Sequence, residues 1–229
     1  MKIEIWSDVM CPFCYIGKKH FEAALSQIPY QNNIQVEWKS FQLNPDLSKT
    51  EVTSVKDYLI EAKGVSEEQV SAMNNQLADM GKAVGIDFQQ QNSKVINTGE
   101  AHRLIHFAQS KGKGSEIEER LFKAYFTEGK NVADYETLTE IGEEIGLNKT
   151  EVLEMLESDA YVFDVASDVL DARNIGVTGV PFFVIDRKYA LSGAQPIEYF
   201  VSALTQAYEK DHLDQPSTNA SCDIEGNCD

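Results

Sequence analysis

Ile3-Glu4-Ile5-Trp6-Ser7-Asp8-Val9-Met10-Cys11-Pro12-Phe13-Cys14 is the stretch that decides the fold. It opens as an apolar run of strand character, ends in Cys-x-x-Cys, and passes directly into a helical pattern. Two cysteines at that spacing, in a chain without a secretory signal at its start, are a redox signature. If Cys11 caps the helix, Pro12 falls at its first position, where a missing N–H costs nothing and the fixed φ is already helical. The Cys11 sulfur then lies among unpaired amides at the positive end of the helix dipole, a setting that favours the nucleophilic thiolate. Cys14, one turn in, is close enough to close a disulfide with Cys11 and is better shielded. Cys11 is therefore expected to attack and Cys14 to resolve. The competing readings are two inert cysteines or a zinc half-site, and zinc would need two further ligands. No metal is expected.

Composition sets the frame. The chain has 229 residues, 42% hydrophobic and 10% aromatic, enough for one sizeable core or for a domain carrying a large insertion. No apolar run approaches the roughly 18 residues of a membrane span. The start lacks the charged, apolar and small-residue segments of a signal peptide, so a cytoplasmic location is expected. A net charge of −17 disfavours nucleic acid, whose phosphates need clustered Lys and Arg, and also anionic membrane surfaces. Four cysteines fall into two pairs near opposite ends, Cys11/Cys14 and Cys222/Cys228. That is not the density of a disulfide-stapled secreted scaffold.

Beyond the junction, Phe21, Leu25 and Ile28 continue an apolar helix face, which Pro29 and Gln31-Asn32-Asn33 end. Ile34 to Leu43 reads as a second strand, closed by the turn dipeptide Asn44-Pro45. From about residue 50 to 172 the pattern is helical throughout. Ser66-x-x-Gln69 and Ser115-x-x-Glu118 both match the capping box. Ile117, Leu121, Phe122, Tyr125 and Phe126 form one apolar face; Leu138, Ile141 and Ile145 form another, stopped by Gly146. Asn148 is expected to cap a shorter helix, and residues 161–174 a further one, ended by Gly176. Strand character returns at Pro181–Asp186 and, after a break at Arg187-Lys188, at Tyr189–Gly193, which reads as a hairpin. A last helix covers about 196–209. Residues 211–229 are polar and acidic, a flexible tail carrying the second cysteine pair. The order is β-α-β, a helical block, then β-β-α. The expected class is α/β: a thioredoxin fold from 1–49 and 173–210, interrupted by an all-helical insertion over 50–172.

Three segments carry a resemblance that covers nearly the whole chain: Ser7-Asp8-Val9-Met10-Cys11-Pro12-Phe13-Cys14-Tyr15-Ile16-Gly17; Asn97-Thr98 with Ala101-His102-Arg103-Leu104; and Gly176-Val177-Thr178-Gly179-Val180-Pro181-Phe182-Phe183. Together they resemble the DsbA-like branch of thioredoxin-fold oxidoreductases, and within it the FrnE-type proteins. The resemblance implies a cis Val180–Pro181 bond facing the cysteine pair, with the backbone of Val180 free for an extended substrate strand. Pro181 thus joins Cys11 and Cys14 in the expected catalytic set, with Pro12, Phe13 and Val180 facing substrate. Taken without the resemblance, Pro181 reads as an ordinary trans proline entering an edge strand. Relatives with isomerase or glutathione-transferase activity place polar residues of the second segment near a bound thiol, so Asn97, His102 and Arg103 are carried over as cleft residues. His102 and His106 sit one turn apart and could otherwise pair on a metal or line a solvated face, but the metal lacks a third ligand.

One departure bears on redox poise. Strongly oxidising DsbA proteins have His where Phe13 stands, and losing an imidazolium beside Cys11 implies a weaker oxidant. Asp8 reads as a proton acceptor or as a surface carboxylate. Cys222 and Cys228 enclose five residues; FrnE-type proteins also carry a second C-terminal pair, which implies an auxiliary redox role, against a metal clip or two idle thiols. The expected reaction is thiol–disulfide exchange of the reductase or isomerase type. Its partners are protein or low-molecular-weight thiols and disulfides, with a thiol reductant for recycling and no cofactor. A glutathione-dependent isomerase or transferase and a non-enzymatic redox sensor are the rival readings.

Overall fold

The computed structural model describes residues 1–48, 52–89 and 93–213, with side chains as far as residue 210. Strand β1 (Lys2–Ser7), helix α1 (Pro12–Leu25) and strand β2 (Gln35–Ser40) form the opening β-α-β unit. β1 and β2 are parallel, in register from Lys2–Gln35 to Ser7–Ser40. The second strand is shorter than the expected 34–43 because its continuation is a loop, whose Leu43 amide is taken by the Asp8 carboxylate. The helical block follows. It holds β3 (Thr53–Ser54), α2 (Val55–Lys63), α3 (Glu67–Ala83), β4 (Lys94–Val95), α4 (Gly99–Ser110), α5 (Gly114–Phe126), α6 (Tyr135–Glu144), α7 (Lys149–Glu157) and α8 (Val162–Asn174). β5 (Phe182–Ile185), β6 (Tyr189–Ser192) and α9 (Ile197–Leu213) close the chain. The short β3–β4 pair inside the block has no counterpart in the sequence reading.

The main sheet runs β2-β1-β5-β6, with β5 antiparallel to both β1 and β6. Alternation along the strands gives it two faces. Ile3, Ile5 and Phe183 point to one side, where Phe183 packs on Phe21 of α1 (5.5 Å between ring centres) and Phe200 of α9 (4.7 Å). Trp6 and Val184 point to the other, onto Ala172 and Val177. The Trp6 indole donates to the Asp168 carbonyl at 3.1 Å, so α8 covers this second face. The insertion drawn over 50–172 thus includes a helix that the sheet itself requires.

A stack of aromatic rings ties the rest of the block to the cysteine helix. Tyr15 lies against Phe122 of α5 at 5.0 Å and edge-on to Phe88 at 6.3 Å. One continuous core then runs from Ile3 and Ile5 through Leu104, Leu121 and Leu138. Capping follows the sequence at Ser66, which forms a full capping box with Gln69, and at Asn148, whose side chain accepts from Thr150 and Glu151. Ser115 departs from expectation. Helix α5 already begins at Gly114, Ser115 faces the Trp38 indole, and Glu118 is buried rather than turned back to a cap. The apolar pressure of Ile117 and Leu121 against the core sets the rotation of this helix.

β2 is an edge strand, and its outward backbone is sealed by side chains. Gln109 of α4 accepts from the Trp38 amide at 2.7 Å and donates to the Trp38 carbonyl at 3.0 Å, as a neighbouring strand would. Asp168 accepts from the Ser40 amide at 2.9 Å. Such coverage removes a template for edge pairing. Gln109→Ala leaves both Trp38 groups unpaired and is expected to cost about 1–3 kcal/mol in urea denaturation. A change within about 0.5 kcal/mol would show the bracket to be dispensable.

Candidate active site

The strand ends at Ser7, and the chain turns over Asp8, Val9 and Met10 before the helix begins. The Cys11 amide closes this turn on the Asp8 carbonyl at 2.9 Å. Cys11 is the N-cap of α1, in extended conformation, with Pro12 at the first helical position as its fixed φ favours. No side chain caps the helix here. The Cys11 sulfur accepts from none of the first-turn amides, and as the N-cap residue it stands at the positive end of α1.

Val180–Pro181 is a cis peptide bond and meets the cysteine pair from across the sheet. The Cys11 Sγ donates to the Val180 carbonyl at 3.6 Å. Among the described residues the Val180 amide has no hydrogen-bond acceptor. The two segments can approach because position 17 carries no side chain: a Cβ there would lie 2.9 Å from the Pro181 ring. Gly17 lies within the cysteine motif, and its packing on Pro181, 164 positions away, has no local signal in the sequence.

Both cysteines are free thiols, and neither is open to solvent: Cys11 is 4% exposed and Cys14 1%. Their roles therefore rest on position more than on access. Burial pushes the Cys14 thiol up, the neighbouring Cys11 adds to the rise, and the Asp8 backbone and Ser7 hydroxyl oppose it less strongly. That burial disfavours the Cys14 thiolate. Phe13 stands beside them 47% exposed, an apolar surface next to the thiol. Pro12 is partly exposed at its side.

Behind the pair lies a buried polar cluster. Asp8 is fully buried, which corrects the surface reading of that residue. Its carboxylate accepts from the Leu43 amide at 2.7 Å and the Met10 amide at 3.4 Å, and lies 3.5 Å from His102 Nε2. It ties the active-site turn to the loop after β2. Glu118, reaching in from α5, is also buried, and one of its oxygens has no partner. Burial pushes its carboxyl up to about 8; Lys18 draws it down and Asp8 pushes it further up.

The structure distributes the three residues of the second segment differently from expectation. His102 is buried against Asp8 rather than on a solvated face. His106 points elsewhere, to Ser40 at 3.1 Å and Asp168 at 3.0 Å, so the two imidazoles do not converge on one ion. Asn97 donates to the Pro45 and Leu47 carbonyls and accepts from the Gly99 amide, pinning the loop after β2 to α4. Arg103 spends all five of its N–H donors on the carbonyls of Met155, Leu156, Ser158 and Ala160 and on Glu100. It caps the end of α7, where a cation suits the helix dipole, and has no donor left for a substrate. Arg103 and Asn97 both line a hollow with Gln42, Pro45 and Val162, their side-chain donors turned to the protein's own carbonyls and to Glu100. Among the described residues no group of three or more His, Cys, Asp or Glu is placed to hold a metal ion. Cys222 and Cys228 lie outside the described residues.

Known proteins match this chain over most of its length. The family model of the DSBA-like thioredoxin domain covers residues 2–205. The uncharacterized protein YwbO of Bacillus subtilis is 29% identical over 211 residues, 91% of this chain and 98% of its own. The crystal structure of a probable DsbA oxidoreductase from Streptomyces coelicolor superposes with a TM-score of 0.90 at 36% identity, over 100% of this chain and 98% of that one. The cytosolic disulfide reductase DsbM of Pseudomonas aeruginosa shares the fold at 17% identity, with a TM-score of 0.66 over 91% of this chain and 100% of its own.

The Glu118 carboxyl sets a pH dependence. Folded, it holds its proton to about 8; unfolded, it releases it near the usual 4.3. Between those values the folded state binds more protons, so stability falls as pH rises. Glu118→Gln removes that slope. The reduced variant is expected to melt at least about 3 °C above the parent at pH 8, with the gap closing toward pH 5. Melting curves that stay parallel from pH 5 to 8 would contradict this account of the cluster.

Proposed function

The chain belongs to the DSBA-like thioredoxin domain family, and on that premise we propose that it is a thiol–disulfide oxidoreductase of the reductase or isomerase type. The observation that carries the proposal is the meeting of the Cys11 sulfur at the mouth of α1 with the Val180 carbonyl, beside an unpartnered Val180 amide. An extended segment that pairs with Val180 brings its own sulfur up to Cys11. The Cys11 thiolate attacks one sulfur of the substrate disulfide, forming a mixed disulfide and expelling the other sulfur as a thiolate, which takes up a proton. Cys14 then loses its proton and attacks Cys11 Sγ. The Cys11–substrate bond breaks, the substrate leaves reduced, and a Cys11–Cys14 disulfide remains for a thiol reductant to reopen. In reverse the same steps oxidise a dithiol.

With Cys11 only 4% exposed, a disulfide on a flat folded surface is hard to reach, whereas one on a thin or extended segment is not. Protein segments and small thiols or disulfides are the substrate class. Phe13 between the cysteines, in place of an ionisable residue, supports a weak oxidant suited to reduction or isomerisation in a reducing cytoplasm, where we place the protein. The fold-related reductase DsbM, whose structure has also been solved with GSH, works in that compartment. No described helix is long and apolar enough to cross a membrane. A glutathione-dependent isomerase on a small molecule would leave Cys14 without a task. FrnE-type membership and an auxiliary redox role for Cys222/Cys228 belong to the same proposal, supported by the spacing of that pair.

Insulin reduction with a dithiol reductant tests the reading. Cys11→Ser is expected to lose at least about 100-fold in rate, and Cys14→Ser to accumulate a mixed disulfide on Cys11 visible by mass. A Cys11→Ser protein that retains its rate would sink the proposal. Removing residues 214–229, which leaves α9 whole, is expected to slow turnover of protein substrates severalfold while the melting temperature holds. Unchanged turnover takes the tail out of the mechanism.

A further inference from the structure

The stretch between Lys149 and Arg173 contains seven acidic residues and no Lys or Arg. Three of the seven are paired: Glu151 with Lys111 at 2.7 Å, Asp168 with Lys39 at 3.0 Å and Asp171 with Arg187 at 2.7 Å. Glu154, Glu157, Asp159 and Asp164 form no ion pair among the described residues, and all four are exposed. Amid these acids α8 presents large apolar side chains to solvent: Phe163 is 82% exposed, Leu170 57% and Val162 48%. Val162, Ala166 and Leu170 recur at i, i+4 and i+8 and so share one side of the helix, with Phe163 beside them. The sheet is covered by another side, carrying Val165, Asp168 and Ala172. Val162 and Ala166 also wall a hollow of about 260 Å³ with Pro45, Gln42 and the mutually paired Glu100 and Arg103, large enough to seat a side chain.

Clustered exposed apolar residues mark interaction sites. An apolar stripe on a helix that carries unpaired Asp159 at its start and unpaired Asp164 in its first turn suits a partner that is both apolar and basic. A second copy of this chain would bring like charges together at a net −17 each, and an anionic lipid surface would be repelled by the same acids. The stripe is also joined to the thiol. α8 spans about 20 Å, and the five residues after it lead to the Val180–Pro181 turn at Cys11. Roughly six extended residues span the length of that helix.

We propose that the outer face of α8 is a docking surface for a basic, apolar stretch of the protein substrate, which it holds while a cysteine farther along that substrate reacts at Cys11. This deepens the exchange reading and rests on it. The partner is recognised by Lys or Arg against Asp159 and Asp164, and by apolar side chains against Phe163, Leu170 and the hollow.

The test uses two labelled cysteine-free peptides, one of Lys, Leu and Phe and its twin with Glu for every Lys, titrated with the full-length protein by fluorescence anisotropy. The Lys peptide is expected to bind about tenfold or more tighter than the Glu twin, with the advantage shrinking as salt rises from about 50 to 500 mM. Phe163→Ser with Leu170→Ser, and separately Asp159→Asn with Asp164→Asn, are each expected to weaken Lys-peptide binding at least about fivefold. Turnover of a small uncharged disulfide should stay unchanged in both variants. Equal binding of the two peptides, or variants that bind as the parent does, would overturn the docking surface. So would a parent dimer that Phe163→Ser with Leu170→Ser splits in sedimentation, since the stripe would then belong to a second copy. The peptides carry no sulfur, so a failure of docking and a failure of exchange chemistry are read from different experiments.

Discussion

The contact between the Cys11 sulfur and the Val180 carbonyl joins two points 169 residues apart, and the rest of the molecule is arranged around keeping it. The β1–β5 pairing brings the cis turn alongside the strand that leads to the cysteines. Gly17 lets the Pro181 ring lie against α1, and the Pro181 carbonyl accepts from the Gly193 amide at 2.8 Å, anchoring the turn to the end of β6. Each of these is a backbone or close-packing constraint. The thiol is placed by architecture, and few side chains near it are free to do anything else.

The helical block is part of that architecture. Glu118 comes from α5 and His102 from α4; His102 lies 3.5 Å from the Asp8 carboxylate, and the Asp8 charge reaches Glu118 and raises its carboxyl. Lys18, almost fully buried on α1, pairs with Glu22 and Glu119 and tempers the charge of Glu118. Ionisable groups are kept out of water this way only where their neighbours hold them, and a carboxyl held neutral near pH 7 is the form such burial produces. Arg103, by contrast, shows that a buried cation in the same helix can be wholly architectural.

Much of the fold was legible in the sequence because its signals are local. A strand running into Cys-Pro-x-Cys, the Ser66 capping box, Asn148 as a cap and the break at Arg187-Lys188 all depend on neighbours in the chain. At the last of these the backbone takes positive φ at Asp186 and Arg187, and the Arg187 side chain is held by Glu4 and Asp171. What misled was long-range. Ser115 matched a capping pattern, yet the core rotates α5 so that Glu118 is buried. Asp8 looked like a strand-end carboxylate until the loop after β2 folded over it. His102 and His106 are one turn apart in the chain but serve two different carboxylates. Gln109, which completes the edge of β2, carries no signal in the sequence, because its partner is the backbone of Trp38, 71 positions away.

The central claim is that one sulfur, at the mouth of α1, reacts in the folded protein while its neighbour does not. Mass-resolved alkylation of the reduced native chain with iodoacetamide, followed over a range of pH, tests it most directly. The account predicts that Cys11 is modified first, that its modification disappears in Cys11→Ser, and that Cys14 labels only once the protein is unfolded. Native labelling that falls first on Cys14, or a Cys11 that reacts no faster than a denatured thiol at neutral pH, would contradict it.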